Sequence, residues 1–145
     1  MFLDTNIALR LVEPAAPEHG LVCRAVARLE QEGRVLSISA QILVESWVVF
    51  TRPKANNGFE WSATAAGAAL DAFRTRFVVL QEDATTLERW FDLVTRMTIV
   101  GKRAHDARIA ALMASHGVTE ILTLNVADFH GMPGIVAVHP SAIAP

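Results

Sequence analysis

Four acidic side chains in this sequence follow or interrupt apolar runs, where an unpaired charge would be costly. They are Asp4 in FLDTN, Glu45 in ILVES, Asp106 in AHDARIAAL and Asp128 in LTLNVADF. Carboxylates are rarely buried without a partner, and a cluster of oxygen ligands suits Mg²⁺ or Mn²⁺ better than zinc. If the fold brings the four together, we expect a site for one or two such ions. The chemistry that this site would favour is hydrolysis of a phosphodiester by a metal-activated water.

Each of the four acids also has a purely structural interpretation. Asp4, or Thr5 beside it, could cap the first helix. Asp106 could be a first-turn charge that the helix dipole favours, and Asp128 could cap a short turn. Glu45 fits a structural role least well, because its apolar neighbours are expected to leave it little water. Those neighbours are Leu43, Val44, Val48 and Val49.

The histidines do not indicate a transition-metal site. His105 precedes Asp106 directly, but successive residues of a helix point about 100° apart. The other four form no HxH or HxxxH pattern, and they are His19, His116, His130 and His139. We therefore expect no zinc.

Short runs of β type alternate with longer helical patterns along the chain. We predict strands at 2–4, 34–39, 77–81, 120–125 and 135–139, and helices at 5–12, 18–32, 40–51, 62–75, 84–97 and 104–116. Gly33 and Gly117 follow two of these helices, as C-terminal caps should. The alternation predicts right-handed βαβ units, and hence an α/β fold whose parallel sheet of four to five strands is covered by helices on both faces. No repeat, low-complexity tract or long linker divides the chain, so we expect one domain over residues 1–145.

In such a sheet, ligands bind outside the carboxyl ends of the strands, where the strand order reverses. Asp4 ends the first predicted strand, and Asn125 and Asp128 follow the fourth. If those two strands are neighbours, the first and last acids meet in one crevice. Glu45, early in the helix after the second strand, and Asp106, in the first turn of the helix before the fourth, can face the same edge.

Composition narrows the class of protein. Hydrophobic residues make up 52% and charged residues 19%, which describes a packed globular chain. No apolar stretch approaches the roughly 18 residues of a membrane span, the N-terminus does not resemble a signal peptide, and Cys23 is the only cysteine. These features predict a cytoplasmic location. The net charge is -2, but setting aside four of the 15 acids leaves 11 against 13 Lys and Arg, which is compatible with a nucleic-acid partner.

Taken in order, DTN after the first strand, Glu in an apolar helix, HDARIAA before the fourth strand and TLNVADF after it resemble the PIN domain family, most closely its VapC-like toxins. The resemblance implies a PIN-like three-layer fold and a Mg²⁺- or Mn²⁺-dependent ribonuclease that leaves a 5′-phosphate and a 3′-hydroxyl. It also implies a role for eight residues. Asp4, Glu45, Asp106 and Asp128 would be the catalytic, metal-binding acids, and Thr5, Asn6, Thr123 and Asn125 the polar residues that support them.

The resemblance further implies partners. RNA rather than DNA would be the substrate by the resemblance alone, because nothing in the residues reads a 2′-hydroxyl. A cognate antitoxin would bind the toxin. Relatives of this kind are typically homodimers, and the high apolar fraction, with Trp47 and Trp90 on predicted helices, also favours a dimer. No membrane partner is expected.

Three alternatives remain open at this point. The first is a PIN nuclease of RNA processing that has no antitoxin. The second is a PIN-like module that binds RNA or a protein without cutting, which a metal-dependent cleavage assay would separate from an enzyme. The third is a phosphorelay receiver domain, which needs a phospho-accepting Asp after its third strand and a Lys after its fifth. It fits poorly, because the third predicted strand leads to Gln81, Glu82 and Asp83 and the fifth to His139 and Pro140.

Overall fold

Five short parallel strands form a single sheet in the computed structural model, which describes residues 1–144. The strands are β1 (Phe2–Leu3), β2 (Ser37–Ser39), β3 (Val78–Leu80), β4 (Glu120–Leu122) and β5 (Val136–Val138). Their order across the sheet is β3-β2-β1-β4-β5. The strand order therefore reverses beside β1, which pairs with β2 on one side and with β4 on the other. The predicted neighbourhood of the first and fourth strands is confirmed.

Seven α-helices surround the sheet in the described part of the chain. They are α1 (Thr5–Leu11), α2 (His19–Gln31), α3 (Ala40–Thr51), α4 (Ala63–Arg76), α5 (Ala84–Arg96), α6 (Arg103–Ser115) and α7 (Pro140–Ile143). Helix α1 contacts α2 and α3, α3 contacts α4, and α5 packs along α6. This grouping is what right-handed crossovers predict, because the outward path from β1 to β3 and the return to β4 would then place their helices on opposite faces. The predicted α/β three-layer fold is confirmed.

The predicted helices agree with the structure to within one residue at each end, whereas the strands are shorter than predicted. The ladders are short throughout the sheet, with one residue pair between β1 and β2, two between β1 and β4, and three each between β2 and β3 and between β4 and β5. Gly33 and Gly117 have φ of +71° and +65°, which confirms the two predicted caps. The sequence reading missed α7 and two 3₁₀ helices, Lys54–Asn56 and Val126–Phe129.

Burial increases toward the centre of the sheet and is greatest along β1, β2 and helix α6. Every residue of β1 and β2 is buried, whereas the edge strands β3 and β5 each expose a valine. Six residues of α6 are buried, the run from Ile109 to Met113 together with Ala107, directly after Asp106. Two of the four candidate acids are thus carried by these well-packed elements, because Asp4 directly follows β1 and Asp106 lies in α6. Within residues 1–144, no helix combines the length and apolar character needed to cross a bilayer.

Candidate active site

Asp4 lies where β1 ends and α1 begins, at the carboxyl edge of the sheet. Its backbone N–H donates to the carbonyl of Leu122 at 3.1 Å, which ties the end of β1 to β4. Its Oδ1 accepts a hydrogen bond from the backbone N–H of Thr5 at 2.7 Å, so Asp4 is the N-cap of α1. Its Oδ2 accepts from Thr123 Oγ1 and from Asn6 Nδ2, both at 2.7 Å. The capping interpretation is therefore correct, and it leaves the carboxylate in the crevice.

A polar network built on Thr123 and Asn6 supports Asp4 from the fourth strand. Thr123 is fully buried directly after β4. Asn6 Nδ2 donates to Thr123 Oγ1 at 3.0 Å, and Asn6 Oδ1 accepts from the backbone N–H of Leu124 at 3.0 Å. Asn125 is exposed and contributes to this network only its backbone N–H, which donates to Thr123 Oγ1 at 3.0 Å. Asn6 and Thr123 thus contact Asp4 directly, whereas Asn125 acts on it through Thr123.

Glu45 is held from two elements. Thr5 Oγ1, in the first turn of α1, donates to Glu45 Oε2 at 2.5 Å, and Gln41 Nε2, one turn earlier in α3, donates to Glu45 Oε1 at 2.8 Å. The expected apolar shield is wrong, because Val44 and Val48 are 63% and 49% exposed and Glu45 is only half-buried. Helix α3 instead turns Gln41, Ile42, Ser46 and Phe50 inward.

Gln41 is a residue of this site that the sequence reading did not identify. It is 6% exposed, and besides Glu45 its Nε2 contacts the carbonyl of His105 at 3.3 Å. A signal was present in the sequence, because residues four apart in a helix face the same side and Gln41 precedes Glu45 by that interval. His105 itself is exposed, and the group that it contributes to this contact is its backbone carbonyl.

Asp106 and Asp128 complete the crevice from α6 and from the 3₁₀ helix Val126–Phe129. Asp106 is in the first turn of α6 and half-buried. The pKa of Asp106 is raised from 3.8 to about 6, first by burial and then by the charges of Asp128, Asp4 and Glu45, against the opposing charge of Arg103. Asp128 is half-buried, and its backbone N–H donates to the carbonyl of Asn125 at 3.1 Å.

The pKa of Asp4 is also raised, first by burial and then by the charges of Glu45 and Asp128, although the hydrogen bonds from Thr123 and Thr5 oppose the shift. The four predicted acids therefore lie within electrostatic range of one another at one edge of the sheet. Across residues 1–144, however, no three His, Cys, Asp or Glu side chains are already gathered closely enough to hold an ion.

The chemistry of these side chains fits a hard divalent cation. All four are carboxylates, the ligand type that Mg²⁺ and Mn²⁺ prefer, and their mutual repulsion is what a cation would relieve. Mg²⁺ also keeps several of its waters and needs only one or two direct carboxylates, so a loosely gathered set of acids suits it.

The cations beside the site differ in whether they are paired. Arg10 contacts Glu13 at 2.7 Å and Glu18 at 3.2 Å, and Arg108 contacts Glu82 at 2.8 Å. Lys102 and Arg103, at the start of α6, are exposed and form no ion pair with the rest of residues 1–144. They are the basic groups that remain free to meet an anionic ligand next to Asp106.

A parallel sheet with four acids at its switch point defines a class of α/β proteins with a candidate metal centre. The chain matches the PIN domain over residues 1–132 and belongs to that family. It is 28% identical over 128 residues to Ribonuclease VapC24 of Mycobacterium tuberculosis, a match that covers 88% of this chain and 87% of that protein.

Two solved structures show the same fold. The structure of VapBC2 from Rickettsia felis, bound to a DNA fragment from the promoter, matches with a TM-score of 0.73 at 18% identity and covers 95% of this chain and 96% of that one. A toxin–antitoxin complex from Klebsiella pneumoniae matches with a TM-score of 0.63 at 25% identity and covers 96% of both chains.

Proposed function

We propose that this protein is a divalent-metal-dependent endoribonuclease and the toxin of a type II toxin–antitoxin pair. The observation that carries the proposal is the joint placement of Asp4, Glu45, Asp106 and Asp128 at the switch point, where their charges act on one another. The family and the similarity to a ribonuclease named VapC24 support the same activity. Because its substrate would be cellular RNA, we place the protein in the cytoplasm.

In this proposal the four carboxylates hold one or two Mg²⁺ or Mn²⁺ ions. When bound, the metal lowers the pKa of a water and neutralises charge on the transition-state phosphate. The chain's own residues set the geometry. Asn6 and Thr123 fix one oxygen of Asp4, and the Thr5 backbone N–H fixes the other. Thr5 Oγ1 and Gln41 orient Glu45 through separate oxygens, so both carboxylates are aligned before substrate arrives.

The two unpaired cations at the start of α6 suit RNA as the substrate. Lys102 and Arg103 are exposed next to Asp106, so they can contact phosphates that flank the bond to be cut. Phosphate contacts position a nucleic acid without reading its sequence. These cations would hold the RNA backbone in the crevice, although the carboxylates repel its phosphates.

Exposed apolar side chains suit the proposed protein partners. Trp47 in α3 and Leu87 and Phe91 in α5 are each more than a third exposed, and the two α5 residues are 60% exposed or more. Leu87 and Phe91 are four residues apart and therefore lie on the same side of α5, where exposed apolar side chains are typical of a protein interface. The solved relatives include a toxin–antitoxin complex, and we propose a homodimer that binds two antitoxin chains. Light scattering at micromolar concentration should give the mass of a dimer, and a monomer would count against this assembly.

The test of the activity is cleavage of structured RNA with Mg²⁺ and with EDTA. We expect cleavage only with the metal, and a loss of orders of magnitude in Asp106→Asn and Asp4→Asn. Asp71→Asn is the matched control, because Asp71 is an exposed acid of α4 that pairs with Arg74 outside the crevice. Near wild-type cleavage by either site variant, from enzyme free of contaminating nuclease, would overturn the assignment.

A further inference from the structure

Gln41 connects the two helices that carry Glu45 and Asp106. One amide nitrogen, Nε2, donates to Glu45 Oε1 at 2.8 Å within α3 and contacts the carbonyl of His105 in the first turn of α6 at 3.3 Å. His105 directly precedes Asp106. A single buried donor therefore sets the position of the Glu45 carboxylate relative to the turn that carries Asp106.

The Oε1 atom of the same amide lowers the stability of the fold. Gln41 is 6% exposed, and its Oε1 is buried without a hydrogen-bond partner within residues 1–144. Leaving a buried acceptor unsatisfied destabilises a fold, whereas an apolar side chain of similar shape avoids the penalty. The groups that Nε2 contacts do not need it for solvation, since Glu45 is half-exposed and a first-turn carbonyl already accepts a helical hydrogen bond. Packing alone would favour a residue such as methionine at this position.

We infer that Gln41 is a positioning residue of the metal centre, which acts through Glu45. This inference rests on the proposed function, because it concerns how Glu45 is presented to the ion. Residues that orient a metal ligand typically contribute about 10- to 100-fold to metal affinity. Thr5 donates to the other oxygen of Glu45, so Gln41 and Thr5 each hold one oxygen of the carboxylate.

The test variant is Gln41→Met, which keeps the shape and removes both polar ends. With EDTA its melting temperature should equal or exceed that of the wild type. Its dissociation constant for Mn²⁺, measured by calorimetry, should rise by about tenfold or more. In RNA cleavage at a fixed Mn²⁺ concentration, kcat should fall while KM for the RNA stays unchanged, because the substrate contacts are intact.

Ser46→Ala is the matched control. Ser46 is fully buried on the same helix, adjoins Glu45, and its Oγ also has no partner within residues 1–144, but it forms no bond to an acid. Its removal should leave Mn²⁺ affinity unchanged. A double-mutant cycle gives the coupling, since Gln41→Met should weaken Mn²⁺ binding little or not at all in a Glu45→Gln background. If Gln41→Met fails to fold, Gln41→Asn, whose amide is one methylene too short, should show the same loss.

Three results would overturn the inference while leaving the proposed function intact. They are wild-type Mn²⁺ affinity in Gln41→Met, an equal loss with and without Glu45, and an equal loss in Ser46→Ala. A wild-type protein that neither binds Mn²⁺ nor cleaves RNA would instead overturn the proposed function, and this inference with it.

Discussion

The two halves of the acidic crevice are built differently. Asp4 and Glu45, the anchored pair, have carboxylates that accept three and two hydrogen bonds, respectively, from neighbouring side chains and backbone. Asp106 and Asp128, the free pair, lie at the start of α6 and in a 3₁₀ helix, and the pKa of Asp106 is set by burial and nearby charges with no hydrogen bond contributing. One half of the site is therefore positioned by hydrogen bonds, whereas within residues 1–144 the carboxylates of the other half accept none.

The substitution that should disturb the anchored pair most is Thr123→Val, which removes the hydroxyl and keeps the shape of the side chain. Thr123 Oγ1 donates to Asp4 and accepts from Asn6 and from the backbone N–H of Asn125. Losing a buried hub that bonds a charged group should lower the free energy of unfolding by about 1–3 kcal/mol. Cleavage should fall as well, because Asp4 loses its orientation. Urea denaturation measures the first effect and the RNA assay the second.

Thr95→Val is the control for that variant, because the Thr95 hydroxyl bonds only carbonyls of its own helix and is exposed. Its effect should stay within about 0.5 kcal/mol. Equal destabilisation by the two substitutions would mean that the network around Asp4 contributes nothing special.

In the free pair, Asp106 should make the stability of the protein depend on pH. The pKa of Asp106 is raised in the folded state to about 6, so folding favours the protonated form. The stabilising contribution is fully present below the unfolded value of 3.8 and is lost as the pH rises through about 6. With EDTA, wild type should therefore lose stability between about pH 4 and pH 6 relative to Asp106→Asn. Parallel stability curves for the two proteins across that window would contradict the raised pKa.

A smaller effect concerns the cations beside the free pair. Lys102→Ala and Arg103→Ala should each weaken RNA binding and reduce the slope of log affinity against log salt by about 0.7, the value for one phosphate contact on a single strand. Binding is best measured in the inactive Asp106→Asn background. Arg24→Ala, which removes an exposed arginine of α2 that forms no ion pair within residues 1–144, should leave the slope unchanged. If all three variants lower the slope equally, the start of α6 is not a preferred contact.

The topology, and with it the edge of the sheet at which the four acids lie, could be predicted from the sequence, whereas most contacts of the individual side chains could not. Asp4 and Asp128 could be placed because they follow strands whose alternation with helices predicts a shared edge. The spacing of Gln41 and Glu45 carried a signal for their contact, but the contact of Gln41 with the His105 carbonyl depends on α3 lying close to the start of α6, which has no local signal in the chain. The prediction that apolar neighbours would shield Glu45 from water was wrong for a similar reason, since Val44 and Val48 are apolar and yet face outward.

The polar residues around the anchored pair show how far the contacts of single residues could be predicted from the sequence. Thr5, Asn6 and Thr123 were expected to support the acids, and the structure gives each a hydrogen bond to Asp4, to Glu45 or to both through backbone and side chain. Asn125 was expected to act in the same way, but its exposed position leaves only its backbone N–H in the network. Sequence order identified the cluster, whereas the direction of each side chain required the folded chain.

The central claim, that the four carboxylates hold a divalent ion, is tested most directly by thermal melting of wild type and Asp106→Asn, each with EDTA and with Mn²⁺. With EDTA, Asp106→Asn should melt at or above the wild-type temperature, because one repelling charge is gone. Mn²⁺ should stabilise wild type by about 2.7 kcal/mol at a hundredfold excess over its dissociation constant, and the variant by much less. If Asp106→Asn instead melts well below wild type with EDTA, and Mn²⁺ shifts both proteins equally, Asp106 is a structural helix charge and the metal-site assignment is wrong there.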